Sequence, residues 1–204
     1  MRLISACTSL LVSLVTLAWG QGVVYEREGT ATEYPPAFNV VQDVTLKGTF
    51  IPELNPKLNK DCSFARGSRI IFVKAERAVT QTYQTGLYSV TSDRVWEIFN
   101  DKDVNPRQMT IKRDTTVEDV SYLAEGFCQV RIGGEIYDAS CFGNGNETGI
   151  RQIRELKQET FALLSCSNGG KAWFSGAMLK SSAAFEAFLY NPYDGWFPQN
   201  CNLQ

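Results

Sequence analysis

A chain of 204 residues, 44% of them apolar, can build one ordinary core or two small ones, which excludes wholesale disorder. Its 20 basic and 22 acidic residues leave a formal net charge of −2, without the basic surplus that nonspecific nucleic-acid binding requires. Histidine is absent, which removes Ser-His-Asp and Cys-His hydrolases, His-ligated zinc enzymes and imidazole pH switches.

Residues 1–20, MRLISACTSLLVSLVTLAWG, combine Arg2, an uncharged apolar run and small residues at Ala18 and Gly20. That is the layout of a secretory signal peptide cut after Gly20. The run is shorter than the roughly 20 apolar residues needed to span a bilayer, so no membrane span is expected in the mature chain. The expected location is secreted or periplasmic, and oxidising in either case.

Residues 21–60 read as an extended N-terminal arm, broken by Pro35-Pro36, with a first strand inside 40–51. Residues 61–204 read as a disulfide-stabilised β-rich domain. Within it, 69–74 is a strongly β-favouring run, and the alternating stretch 78–83 is its expected partner. Ser92 suits the cap of a short helix with Val95, Trp96 and Phe99 facing inward. Residues 109–113 form a short strand. Residues 115–126 fit a capped helix ending at Gly126 or a strand, and periodicity leaves both open.

The stretch 126–141, GFCQVRIGGEIYDASC, reads as a hairpin. A turn at Gly133-Gly134 puts Cys128 opposite Ala139. A turn one residue later opposes Cys128 to Cys141, and a disulfide between them is expected to select that register. Residues 142–149 are turn-forming and contain the Asn-x-Thr sequon at Asn146, a glycosylation acceptor only in a host that glycosylates. Residues 167–171 join two apolar runs as a further hairpin. Residues 182–189 read as a short helix with Phe185, Phe188 and Leu189 on one side, stopped by Pro192. Together these elements predict a mainly β (β-rich α+β) fold. Successive antiparallel hairpins would form a small sandwich or SH3-like barrel, with two or three short helices.

Five cysteines follow the leader. Cys128 with Cys141 and Cys166 with Cys201 are the expected disulfides, leaving Cys62 as a buried, inert thiol or, alternatively, as the donor of an intermolecular disulfide. The C-x-x-C spacing of metal sites and thioredoxin-like redox pairs does not occur, so no metal and no cofactor are expected.

Function points first to 190–197, YNPYDGWF. Tyr190, Tyr193, Trp196 and Phe197 cannot all face inward from one regular element, and exposed rings on a loop suit stacking on sugars or anchoring a protein. The competing structural reading folds this tail back over the core. Acidic chemistry is the second candidate, with Glu125, Glu135 and Asp138 in or beside the hairpin. On one strand, however, Glu135 and Asp138 point to opposite faces. The leading expectation is an exported, non-catalytic module recognising a protein or glycan through exposed aromatics and sheet edges. The alternative is an exported, glycosidase-like hydrolase working with Asp and Glu carboxylates.

Overall fold

A computed structural model describes residues 22–53 except Glu33, then 60–99, 106–124, 126–142 and 148–191. The expected signal peptide, Glu125, Asn146, Tyr193, Trp196, Phe197 and Cys201 lie outside the described residues.

The first part of the chain forms β1 (Tyr25–Glu28), β2 (Ala37–Val40), β3 (Val44–Gly48), β4 (Lys60–Phe64), β5 (Arg69–Ile71) and β6 (Arg77–Gln84). The middle forms β7 (Gly86–Val90), β8 (Arg94–Phe99), β9 (Arg107–Ile111), β10 (Thr116–Ala124), β11 (Phe127–Ile132), β12 (Glu135–Ser140) and β13 (Ile150–Arg154). The end forms β14 (Lys157–Ser165), β15 (Lys171–Ser175), α1 (Gly176–Lys180) and β16 (Phe185–Ala187). A 3₁₀ turn at Phe72–Lys74 closes β5.

The fold is mainly β and antiparallel, built largely from hairpins, as the sequence predicts. It departs in two respects: among the described residues no barrel closes, and α1 and the 3₁₀ turn are the helical elements. One four-stranded sheet runs β1-β6-β14-β15, a three-stranded sheet runs β16-β2-β5, and β3 pairs with β4. A seven-stranded sheet runs β13-β7-β10-β11-β12-β8-β9. Residues 22–48 thus supply three strands, each paired with a strand from beyond residue 59.

Two large apolar clusters result. One gathers Phe38, Phe64, Phe72, Phe174, Leu179 and Phe185, whose rings meet edge to face or tilted. The other lies on the seven-stranded sheet and includes Val90, Val117, Val130 and Trp96, with Trp96 stacked on Phe142 at 3.9 Å between centroids. Thr82 ties the four-stranded and seven-stranded sheets, its hydroxyl donating to the Val120 carbonyl at 2.7 Å.

Several local expectations are corrected. The expected helix after Ser92 is strand β8: Trp96 and Ile98 are buried while Val95 is exposed, the alternation of a strand paired on both sides. The open stretch 115–126 is strand β10, between β7 and β11. The expected helix at 182–189 is a turn followed by β16, whose Phe185 and Ala187 pair with Val40 and Phe38. So short a helix is marginal without packing, and the open edge of β2 offers backbone partners instead. The run at 69–74 pairs with β2, not with β6, which lies between β1 and β14.

The sulfur pairing is half as expected. Cys128 and Cys141 are bridged, with Cα atoms 4.9 Å apart. The turn is nevertheless Gly133-Gly134, with φ of 59° and 93°, and Cys128 stands opposite Ala139. Cys141 lies just past the end of β12, where its N–H donates to the Gly126 carbonyl at 2.6 Å, and the bridge closes on the diagonal. Cys166 is joined to Cys62 rather than to Cys201. The end of β14 lies beside β4, where the Ser167 N–H donates to the Ser63 carbonyl.

Candidate functional site

An open, largely apolar groove of about 600 Å³ lies between the start of β2, α1 and the chain leaving β16. One wall is Tyr34-Pro35-Pro36, extended by its prolines and held where the Pro36 carbonyl accepts from Phe72 N–H at 3.0 Å. Phe188 and Leu189 also line it, on the chain leaving β16, where the Phe188 N–H donates to the Ala37 carbonyl at 3.0 Å and continues the β16–β2 ladder. Tyr34 is 52% and Leu189 72% exposed, so both present apolar surface to solvent.

Helix α1 forms the third side. Ser175 caps it, accepting from the Met178 N–H at 3.1 Å. Gly176 meets Pro36 so closely that a Cβ there would stand 3.3 Å from the proline ring. Glu159, on β14, lies at the floor and accepts from the Ala177 N–H at 3.2 Å. Burial raises its carboxyl above the ordinary range, and bonds from backbone N–H groups and the Ser175 hydroxyl partly offset that. The Glu159 carboxylate is therefore already engaged by the protein. Lys180 stands at the rim as the other charged group.

Of the aromatics singled out in the sequence, Tyr190 is described. It is half-buried and does not line the groove; the Lys74 ammonium lies 5.1 Å from its ring centroid. The Arg69 guanidinium similarly covers Phe188 at 5.6 Å. Tyr34, Pro35, Pro36 and Leu189 were not legible as a site. Pro35-Pro36 read only as a break in an arm, and Leu189 as the inner face of a helix.

Neither edge of the seven-stranded sheet is a plain docking strand. β13 is bulged between Gln152 and Arg154, and β9 begins at Arg107, both features that blunt an edge. Of the carboxylates singled out in the sequence, Glu135 and Asp138 are described. Glu135 is exposed and accepts from the Tyr137 hydroxyl, and Asp138 pairs in register with Gln129 and Phe99. The carboxyls held up by burial are Glu159 and Asp119; the former lines the groove and the latter lies against Gly86 and Cys128. Among the described residues no group of three or more Cys, Asp or Glu side chains could hold a metal, and no helix is long and apolar enough to cross a membrane.

Set against protein families, curated proteins and solved structures, the chain has no match in any of the three.

Proposed function

We propose that this chain is an exported binding module that takes an extended apolar segment of a protein partner in the groove between β2, α1 and β16. The observation that carries this reading is the solvent-exposed apolar surface of Tyr34 and Leu189 at the edge of the groove, over a floor whose carboxylate is already bonded. Such a trough gains from apolar burial by a peptide. It offers a sugar few free hydrogen-bonding groups, which favours a protein over a glycan. The two disulfides accord with an oxidising compartment.

Peptide selection on the immobilised, oxidised mature chain tests the proposal, with Leu189→Asp as the counter-screen. The expected peptides share an apolar anchor and lose about tenfold or more in affinity on that substitution, as removal of a central contact should produce. Peptides binding both proteins equally, or retention of glycans with no peptide enriched, would overturn it.

A further inference from the structure

We propose that the Cys128–Cys141 disulfide is a thiol–disulfide exchange site in which Asp119 gives Cys128 its proton as the bond opens. Asp119 is 8% exposed, and its Oδ1 has no hydrogen-bond partner. Its Oδ2 lies 3.8 Å from the Cys128 Sγ. A disulfide sulfur carries no hydrogen, so this contact becomes a hydrogen bond only once Cys128 is a thiol. A buried carboxyl left without a donor is costly, and here the missing donor appears on reduction.

The surroundings isolate this pair. Across β7, Gly86 leaves room for the carboxyl, since a Cβ there would lie 2.9 Å from that of Asp119. The titratable group facing Asp119 from β7 is the Tyr88 phenol, raised by burial and then by Asp119 itself. On β11 the facing residues are Cys128 and Val130, while Arg131 turns to the other face and pairs with Glu118 at 2.6 Å. The Arg154 guanidinium of β13 is held by the Thr85 carbonyl and hydroxyl at 2.8 and 2.7 Å, and Glu155 beyond it acts on Tyr88. Burial keeps the Asp119 carboxyl protonated up to about pH 6.

Access is one-sided. Cys128 is 2% exposed and Cys141 is half-buried, so Cys141 is the end of the bridge from which an external thiolate would attack. That thiolate forms a mixed disulfide with Cys141, the Cys128–Cys141 bond breaks, and the electron pair leaves on Cys128. The Asp119 proton passes to this sulfur, and the carboxylate then accepts from the new thiol. A second external thiolate attacks the incoming sulfur, releasing Cys141 as a thiolate and an external disulfide. The co-reactant is thus a dithiol or two thiols, oxidised by two electrons as the protein pair is reduced. Cys62–Cys166, buried at both ends in the aromatic cluster, serves as internal reference.

The test is reduction of the oxidised full chain by 4-mercaptobenzoate between pH 4.5 and 8. Alkylation and peptide mass analysis read each cysteine, and rates are expressed per thiolate concentration. Wild type should open Cys128–Cys141 first, at a rate that falls about tenfold or more as pH rises through 6, within the range of general acid catalysis. Asp119→Asn should show a flat profile. Identical profiles, or Cys62–Cys166 opening as fast, would overturn the proposal. Should Asp119→Asn not fold, carboxyl ¹³C titration of wild type decides. Asp119 must titrate at lower pH after reduction of Cys128, and an unchanged titration rejects the idea.

Discussion

A carboxyl group enclosed by Gly86, Tyr88 and Cys128 is less costly to bury with its proton than without it, which gives Asp119 a pH signature opposite to that of a salt-bridged aspartate. Its folded-state value of about 6 lies above the ordinary aspartate value of about 3.9. Between roughly pH 4 and 6 the folded chain keeps a proton that the unfolded chain has released, so stability falls as pH rises across that window. The loss is on the order of 2–3 kcal/mol and is complete above about pH 6. Urea midpoints from pH 4 to 7 should show this slope in wild type. Glu159, also raised by burial, contributes in the same direction, so the difference from Asp119→Asn isolates Asp119. A second residue-level test concerns space. A Cβ on Gly48 would lie 2.6 Å from that of Ala172 and 2.8 Å from the Phe174 ring, so Gly48→Ala should cost about 1–3 kcal/mol in urea unfolding. Neither site was legible in the sequence, because which strand faces Asp119 or Gly48 depends on pairing between distant segments.

Elements were legible where the pattern was period two and the turn residues were explicit. The hairpins β11–β12 and β14–β15 follow from alternating runs around Gly133-Gly134 and the 167–171 turn. Misreading came where short apolar stretches satisfy both periods. In β8, Val95, Trp96 and Phe99 fit a helix face, yet Trp96 and Ile98 are the residues that bury, because β9 and β12 supply hydrogen bonds on both sides. Among the described residues the α-helix, α1, starts six residues before the expected one, where Ser175 caps its first turn and Glu159 receives a second N–H. Ser175→Ala should therefore destabilise the protein by about 1 kcal/mol. It should also weaken binding of groove-selected peptides, since α1 forms one side of that groove. Chemical denaturation and peptide titration on the same variant check both effects, and a loss of stability with unchanged affinity would separate cap from groove.

Across the whole molecule the two disulfides do different amounts of work. Cys62–Cys166 closes 104 residues of chain and encircles all of the seven-stranded sheet, whereas Cys128–Cys141 closes 13. The chain-entropy account assigns about 4–5 kcal/mol to a loop of the first size and about 3 kcal/mol to the second. Unfolding of the Cys62→Ala/Cys166→Ala double variant should show the larger loss, compared with Cys128→Ala/Cys141→Ala under non-reducing conditions. The reverse order would mean that native strain or residual structure dominates.

The sequence by itself determined the β class and the Cys128–Cys141 pairing, since alternation and short spacing act within about a dozen residues, but not the register of the turn between them, which both glycine placements allow. It could not determine that Cys166 reaches back to Cys62, that residues 22–48 complete three sheets, or that Tyr34 and Leu189 line one groove. Those outcomes rest on which strand edges meet, and backbone hydrogen bonding is indifferent to side-chain identity. Only the joint packing of all the sheets selects among the possible partners.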